Sequence, residues 1–319
     1  MRVGIVLVAC ALFLPVSCAH HGPEQAVVQQ PLQAPPPTRA PEATEEELAQ
    51  EIVEELLVDK GLDRAKVHGL LYDPRLTIDT GFIVKNLYHS KPKGTAEKPQ
   101  IMYYSPGFIP KGRAFIEQHR EIFENVEACY GIQPEIITAI LIIESKLGVY
   151  PPQYQPFRVY NSLAMALDPD VLSKVIESSG KAYPDLYREE TVQLAQAKGR
   201  WALGELYHLI LLSDELRIDP LEIKGSVAGA MGPAQFIPST FRKFGADGDC
   251  NGRKDPFNMT DAIASVAHLL KRSGWTAGVE KNMRSALWMY NHSDVYVNTV
   301  MKIYTELCDP PDTQQQQDS

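Results

Sequence analysis

A single glutamate ends a segment that is otherwise almost wholly apolar. Glu144 follows the aliphatic run 139–143, and Gly148 comes shortly after it. On a helix Glu144 would share a face with Ile140 and Leu147. Burial disfavours the charged form of a carboxyl group and raises its pKa, which suits a general acid near neutral pH. The alternative is a structural glutamate that pairs with an arginine or caps a neighbouring helix.

A second segment, 225–239, is crowded with Gly, Ala and Ser. Small residues let a ligand approach the backbone closely. Within it, Gln235 offers both a donor and an acceptor for a sugar amide or hydroxyl, and Met231 offers an adaptable apolar contact. The segment predicts a ligand-binding loop, although a plain turn with a close helix contact would fit as well.

A third segment alternates acidic and small residues from Asp247 to Asp255, with Gly252 at the sixth position of the repeat. This is the pattern of an EF-hand-like calcium loop. Because every candidate ligand is an oxygen atom, calcium is the favoured ion, and the alternative is a solvated turn. The predicted ligands are the side chains of Asp247, Asp249, Asn251 and Asp261 and the backbone carbonyl of Arg253.

Two tyrosines near the end of the chain, Tyr290 and Tyr296, flank a predicted helix junction that also contains Asn291. Tyrosine rings suit the faces of sugars and keep a hydroxyl for hydrogen bonding. On spacing alone, core packing is the more ordinary explanation of the pair.

Helical periodicity dominates the chain, so the predicted fold class is mainly α. Thr44 and Glu47 form a capping box at the start of the first helix. An apolar stripe from Phe115 to Tyr130 predicts one helix that is closed by Gly131, and Pro134 suits the first turn of the next. Further helices are expected over about 189–212, from 261 to 273, over 280–290 and over 294–307.

The composition sets limits on function. The chain has 319 residues, of which 44% are hydrophobic, so a large core can be buried. Its formal net charge is -9 at pH 7. This charge excludes nucleic acid as an expected partner, because nucleic-acid binding requires a basic face.

The first residues predict export. Arg2 precedes an apolar run from Val3 to Leu14, which fits the core of a signal peptide. The following residues 16–18 resemble the end of a lipobox, which predicts lipidation at Cys18 and a membrane anchor; an ordinary cleaved signal is the alternative. We therefore expect a signal peptide at 1–18, a Pro/Gln-rich disordered tether at 19–43, a catalytic domain at 44–307 and a disordered tail at 308–319.

Taken together, these segments resemble the membrane-bound lytic murein transglycosylase B family. The similarity covers roughly residues 45–307. Four motifs carry it, in the family's order: residues 142–148 around Glu144, the small-residue segment 226–239, the acidic loop with its following helix at 247–265, and 290–296. The resemblance implies a lysozyme-like helical catalytic domain with a small inserted EF-hand-like calcium loop.

The resemblance also implies roles. Glu144 would be the only catalytic carboxylate, and Ser226, Gln235, Tyr290 and Tyr296 would line the glycan groove. Calcium would be structural. The implied reaction is cleavage of the bond between N-acetylmuramic acid and N-acetylglucosamine in peptidoglycan, with formation of a 1,6-anhydro-muramoyl product.

Two alternatives to this reaction stay open. A hydrolytic muramidase would use water and a second carboxylate. A lipid-anchored protein that binds the cell wall without catalysis would keep the groove and lose the acid. In each case the expected partner is the peptidoglycan glycan strand. The protein is expected in the periplasm as an outer-membrane lipoprotein, and it is expected to be a monomer.

Overall fold

The first helix begins where Thr44 satisfies the free N–H groups of its first turn. The Thr44 hydroxyl accepts a hydrogen bond of 3.2 Å from the Glu47 N–H, and the Glu47 carboxylate accepts one of 2.7 Å from the Thr44 N–H. This reciprocal pair is the predicted capping box, which is confirmed. The bond from the Thr44 N–H, together with one of 3.0 Å from the Thr44 hydroxyl to the same carboxylate, lowers the pKa of Glu47.

A computed structural model describes residues 44–89, 102, 104–149 and 151–310. Thirteen α-helices lie in these ranges, so the predicted helical class is confirmed. They are α1 Glu45–Asp59, α2 Arg64–Leu71, α3 Gly81–His89, α4 Phe108–Gln118, α5 Arg120–Tyr130, α6 Pro134–Ser145, α7 Pro156–Ala164, α8 Pro169–Ser179, α9 Glu189–Leu216, α10 Pro238–Phe244, α11 Met259–Arg272, α12 Glu280–Tyr290 and α13 Asp294–Cys308. Two 3₁₀ turns lie at Met165–Leu167 and Pro184–Tyr187.

The helices pack around two central elements, α6 and α9. Helices α4, α5, α11 and α13 contact α6, and α12 contacts α11 and α13. Helix α7 packs along α9, which also contacts α1 and α3, while α10 contacts both α9 and α11. The α6 helix is buried on nearly all sides, which explains why its sequence is apolar beyond a single stripe.

One predicted helix is wrong in its extent. The stripe from Phe115 to Tyr130 is divided between α4 and α5, which meet at His119. The break turns the chain so that the rings of Phe115 and Phe123 still meet, with centroids 6.0 Å apart. Both rings pack into one core, so the apolar residues keep a helical spacing in the sequence although the helix is interrupted. Gly131 ends α5 in the left-handed conformation, at φ 68°, as its position predicts.

No single helix among the described residues combines the length and the apolar composition needed to cross a bilayer. Helices α5 and α6 meet those criteria only when joined, and they are bent by 113° at their junction.

The ends of the chain carry predictions that the structure does not describe. The chain divides into Met1–Glu42 and Ala43–Ser319. The expected signal peptide, Cys18 and the tether at 19–43 all lie outside the described residues, as do residues 311–319 of the expected tail. Cys308 is the last residue of α13.

Candidate active site

Helix α6 ends in an unusual turn that directly follows Glu144. Lys146, Leu147 and Gly148 all have left-handed backbone angles, with φ of 54°, 62° and 83°. The Ser145 hydroxyl accepts a 2.8 Å hydrogen bond from the Gly148 N–H and so closes the turn. Left-handed conformations are costly for residues other than glycine, so the tertiary contacts must hold this turn in place.

The Glu144 side chain is partly exposed, and it projects from a helix whose Ile137, Ile140 and Leu141 are fully buried. Burial of the carboxyl group raises its pKa to about 7. A hydrogen bond from Tyr296 opposes this effect. The group therefore holds its proton near neutral pH, as the apolar helix face predicts.

Tyr296 and Tyr290 form a stacked pair beside Glu144. The Tyr296 hydroxyl donates a 2.8 Å hydrogen bond to Oε1 of Glu144. The two rings are 6.1 Å apart with an interplanar angle of 9°, and the Tyr290 hydroxyl donates a 2.6 Å bond to the carbonyl of Ala234. Burial raises the pKa of both tyrosines well above the usual range, so both hydroxyls stay protonated donors.

The small-residue segment is a compact backbone turn. Gly225 pairs with Tyr154 and with Met231, and Met231 pairs with Phe236. The Ser226 hydroxyl accepts bonds from the N–H groups of Ala228 and Ala230. Short side chains let these backbone segments approach one another, so small residues here serve the loop's own packing as well as any ligand.

Met231 does not occupy the predicted place. Its side chain is fully buried, so the structure contradicts the prediction of a direct ligand contact. Its N–H donates to the Phe236 carbonyl and its carbonyl accepts from the Phe236 N–H, at 2.9 and 3.1 Å. This pairing turns the Met231 side chain into the core beneath the loop. Tyr296 is likewise 2% exposed and faces Glu144, so its ring is not an open platform for a sugar.

A cavity of about 620 Å³ opens beside the end of α6. Ser226 and Gln235 line it, as do Ser145, directly before the left-handed turn, and Gly148, the last residue of that turn. The structure thus brings the two predicted polar residues to the chain segment that carries Glu144. Asn291 lies elsewhere: it is exposed at the end of α12 and is not among the residues that line this cavity.

Several lining residues had no signal in the sequence. Lys85 comes from α3, Tyr154 from the segment before α7, and Lys224 from just before the small-residue loop, while Phe257 follows shortly after the acidic segment. A second cavity of about 500 Å³ shares Pro152, Lys224 and Phe257 with the first, so the groove continues past Phe257. No local pattern could have indicated these residues, because they meet only through the packing of distant segments.

The acidic loop brings together three of its five predicted ligands. Asp247, Asp249 and Asp261 each offer a carboxylate oxygen, and these atoms lie within 4.8 Å of one another. Burial raises the pKa of Asp261, and the charges of Asp249 and Asp247 raise it further. The remaining two, Asn251 and Arg253, lie in the same loop, where the Asn251 side-chain oxygen accepts a 2.8 Å bond from the Arg253 N–H.

The acidic loop packs directly on the small-residue loop. A methyl group added at Gly232, which has φ 67°, would lie 1.8 Å from the Pro256 carbonyl oxygen. One added at Gly148 would lie 2.7 Å from Cε of Met259. Glycine at both positions lets the chain between the acidic loop and the start of α11 come into close contact. It contacts the small-residue loop at Gly232 and the end of α6 at Gly148.

Comparisons with known proteins agree with this architecture. The family described as "Transglycosylase SLT domain" matches residues 44–286. The membrane-bound lytic murein transglycosylase B of Escherichia coli (strain K12) is 25% identical over 237 residues, which cover 72% of this chain and 58% of that protein. The chain thus spans 58% of the length of this curated relative.

Solved structures share the fold at low identity. The Escherichia coli lytic transglycosylase Slt35 in complex with bulgecin A has a TM-score of 0.62 at 19% identity, covering 81% of this chain and 92% of that one. Slt35 in complex with calcium has a TM-score of 0.61 at 20% identity, with the same coverage. Pseudomonas aeruginosa SltB3 in complex with NAG-NAM-pentapeptide has a TM-score of 0.61 at 18% identity, covering 82% of this chain and 79% of that one.

These likenesses confirm the lysozyme-like helical fold that the motifs indicated. Because the family match spans 44–286, it includes α6 with Glu144, the small-residue loop and the acidic loop. The chain belongs to the transglycosylase SLT domain family.

Proposed function

We propose that this chain is a lytic transglycosylase that cleaves the bond between N-acetylmuramic acid and N-acetylglucosamine in peptidoglycan. The observation that carries the proposal is the setting of Glu144. Its pKa is raised to about 7 by burial, its Oε1 accepts a hydrogen bond from Tyr296, and the next residue, Ser145, lines a groove that also carries the hydroxyl of Ser226 and the amide of Gln235. A carboxyl group with these properties is suited to act first as an acid and then as a base.

In the first step Glu144 acts as a general acid. Because Oε1 accepts the hydrogen bond from Tyr296, Oε2 is the oxygen that carries the transferable proton. It donates this proton to the bridging oxygen as the glycosidic bond breaks, and N-acetylglucosamine leaves as an alcohol. The charge that develops on the muramoyl ring is stabilised by the acetamido group of the substrate itself.

In the second step the same carboxylate acts as a general base. It removes the proton from the muramoyl six-hydroxyl, whose oxygen then attacks the anomeric carbon. The products are a 1,6-anhydro-muramoyl end and a new N-acetylglucosamine end, and no water is consumed. Glu144 is left protonated for the next turnover.

A hydrolytic muramidase is the alternative within enzymes. It requires a partner carboxylate on the far side of the bond to activate water or to attack the sugar. Within the described ranges, the side chains that line the cavity provide hydroxyl, amide, ammonium and apolar groups. The two reactions differ in the muramoyl end that they form, so the products decide between them.

We infer that the acidic loop holds a structural calcium ion. The cluster of acidic side chains suits a calcium ion, because three carboxylate oxygens lie within 4.8 Å of one another and Asp261 is fully buried. Like charges so close together repel one another, and a cation between them relieves that repulsion beyond what the backbone N–H groups that already donate to these carboxylates provide. Asp247, Asp249 and Asp261 would hold the ion with Asn251 and the Arg253 carbonyl, and the ion would brace the loop against Gly232 and Gly148.

We further propose that the protein is exported to the periplasm, as its membrane-bound relative's name and its own first residues suggest. We also propose that Cys18 carries a lipid and that this lipid anchors the protein in the outer membrane. We propose residues 44–307 as a monomeric catalytic domain on a tether, acting on glycan strands of the wall.

Product analysis tests the reaction. Purified peptidoglycan is digested with the wild-type chain and with Glu144→Gln, and the soluble fragments are analysed by mass spectrometry. The expected products are anhydro-muramoyl ends from the wild type and no fragments from the variant. Reducing muramoyl ends would establish hydrolysis instead, while fragments released equally by the variant would remove Glu144 from the reaction.

A further inference from the structure

A buried tyrosine of α7 holds the small-residue loop from its core side. Tyr160 is fully buried, and its hydroxyl donates a 2.9 Å hydrogen bond to the carbonyl oxygen of Gly229, 69 residues further along the chain. Burial raises the pKa of Tyr160 well above its usual range, so this hydroxyl stays a protonated donor. The bond is therefore a fixed link between α7 and the loop.

The contact between Tyr160 and Gly229 leaves no room for a side chain on the loop. A methyl group added at Gly229 would lie 2.3 Å from Cζ of Tyr160, on a backbone with φ 81°. The Tyr160 ring also meets Trp201 of α9 edge to face, with ring centroids 5.7 Å apart. Contacts with both the loop and α9 hold the ring, so its hydroxyl has a defined position.

Gly229 belongs to the turn that orients the Ser226 hydroxyl. The Gly229 N–H donates to the Ser226 carbonyl at 2.9 Å, and the Ser226 N–H donates to the Ala230 carbonyl at 2.8 Å. The Ser226 hydroxyl accepts bonds of 3.3 and 3.1 Å from the N–H groups of Ala228 and Ala230. A serine hydroxyl has two acceptor positions and one proton to donate. Because both acceptor positions are used, Ser226 is left to act as a donor in the groove that it lines.

One peptide group connects Tyr160 to Ser226. The Gly229 carbonyl, which accepts from Tyr160, and the Ala230 N–H, which donates to the Ser226 hydroxyl, belong to the same peptide group. Since a peptide group is planar and trans, holding its carbonyl also fixes the direction of its N–H. Glycine would otherwise allow this group to rotate, because glycine adopts many backbone angles at little cost. The bond from Tyr160 removes that freedom.

We propose that Tyr160 is a positioning residue, which acts through the Gly229 carbonyl to hold the Ser226 hydroxyl in the orientation that binds a sugar of the glycan strand. The inference rests on the proposed function, because it places a strand in the groove. Tyr160 is not among the residues that line the cavity, and its hydroxyl bonds to the loop and not to Glu144. Its effect is therefore expected in strand binding and not in proton transfer.

Strand binding in the Glu144→Gln background tests this connection. The probe is glycan strands freed of peptides by an amidase. Tyr160→Phe keeps the ring and removes the hydroxyl, and it is expected to weaken strand binding about fivefold. When Ser226→Ala is also present, adding Tyr160→Phe should weaken binding by less than about twofold, because the hydroxyl that Tyr160 positions is already gone.

Kinetics with Glu144 intact supply a second readout. Tyr160→Phe should raise KM while kcat and the alkaline limb of the pH profile stay unchanged, because it removes binding that the substrate and the transition state share. A general loss of stability would not divide the two constants in this way.

Tyr104→Phe is the matched control, since it removes a tyrosine hydroxyl that donates a 2.7 Å bond to Glu306 and does not line the cavity. It should change neither strand affinity nor KM. The proposal would be overturned by an unchanged affinity in Tyr160→Phe, by an undiminished loss in the Ser226→Ala background, or by an equal loss in Tyr104→Phe. Failure of the wild type to form anhydro ends is a separate result, which refutes the reaction and leaves this comparison of affinities intact.

Discussion

The Tyr296 hydroxyl donates a 2.8 Å hydrogen bond to Oε1 of Glu144 across 152 residues of sequence. Through the stacked ring of Tyr290 and its bond to the Ala234 carbonyl, this contact connects the end of α6 to the small-residue loop. The acid and one wall of the groove are therefore held by the same pair of tyrosines. The pair also decides how firmly Glu144 holds its proton.

Replacement of Tyr296 by Phe should shift the pH dependence of the reaction. The hydrogen bond favours the ionised carboxylate, so its removal should raise the pKa of Glu144 above about 7. Because the protonated acid starts the reaction, the alkaline limb of kcat/KM should move to higher pH by about one unit. The measurement is a pH profile of anhydro-product release.

Tyr304→Phe is the matched control, since Tyr304 lies on the same helix, α13, away from Glu144. Its profile should coincide with that of the wild type. A Tyr296→Phe profile that keeps its alkaline limb in place, even with a lower rate, would show that the hydroxyl does not tune the acid.

Replacement of Glu144 by Gln should change stability in a pH-dependent way. The folded state binds the Glu144 proton with a pKa of about 7, against 4.5 for an unperturbed Glu. The native state of the wild type is therefore favoured below pH 4.5, and this advantage is lost as pH rises through about 7. Above pH 7 the neutral Gln should be more stable than the wild type by about 1–3 kcal/mol, measured by urea unfolding.

Near pH 4.5 the two proteins should differ little, because both then carry a neutral group at this position. Glu124→Gln replaces an exposed carboxylate on α5 and should show no such divergence with pH. A Glu144→Gln variant that follows the wild-type stability at every pH would contradict the buried, proton-holding carboxyl group.

Replacement of Gly232 by Ala should separate the two loops. The added methyl group would meet the Pro256 carbonyl oxygen at 1.8 Å on a backbone with φ 67°, so steric conflict adds to left-handed strain. We expect a loss of about 3 kcal/mol or more in the free energy of unfolding. Calcium affinity, measured by titration, should fall as well because Pro256 directly follows the acidic segment.

Gly278→Ala supplies the comparison. It also has a positive φ, of 76°, but a methyl group there would have no atom within 4 Å. Its cost should be backbone strain alone, about 1 kcal/mol. Equal losses at the two positions would mean that the contact between the loops does not govern the effect.

Removal of calcium should lower the melting temperature. An ion that binds only the folded state stabilises it by about 3 kcal/mol at a hundredfold excess over its Kd, which corresponds to several degrees. Asp247→Asn should abolish most of this response, because it removes one of the three converging carboxylates. Scanning calorimetry with calcium, magnesium and chelator measures the effect.

Asp59→Asn, on an exposed residue at the end of α1, is the control and should keep the full response. If neither calcium nor chelator changed the melting temperature of the wild type, the acidic loop would not be a calcium site.

Several local features of this protein could be predicted from its sequence because they depend on short-range interactions. The capping box at Thr44, the left-handed end of α5 at Gly131 and the apolar face that carries Glu144 each depend on residues a few positions apart. The same holds for the acidic loop, whose ligands lie within one turn of chain and the next helix. Local hydrogen bonding and helical spacing determine such features before any distant contact forms.

Tertiary structure alone decided which of these residues meet. It turned Met231 into the core, broke the stripe at His119, aimed Tyr296 at Glu144 and brought Lys85 and Lys224 to one groove. None of these outcomes is encoded in a local period, because each depends on side chains from separate helices competing for the same buried volume. The sequence by itself determined the helices and the acid; close packing determined what surrounds the acid.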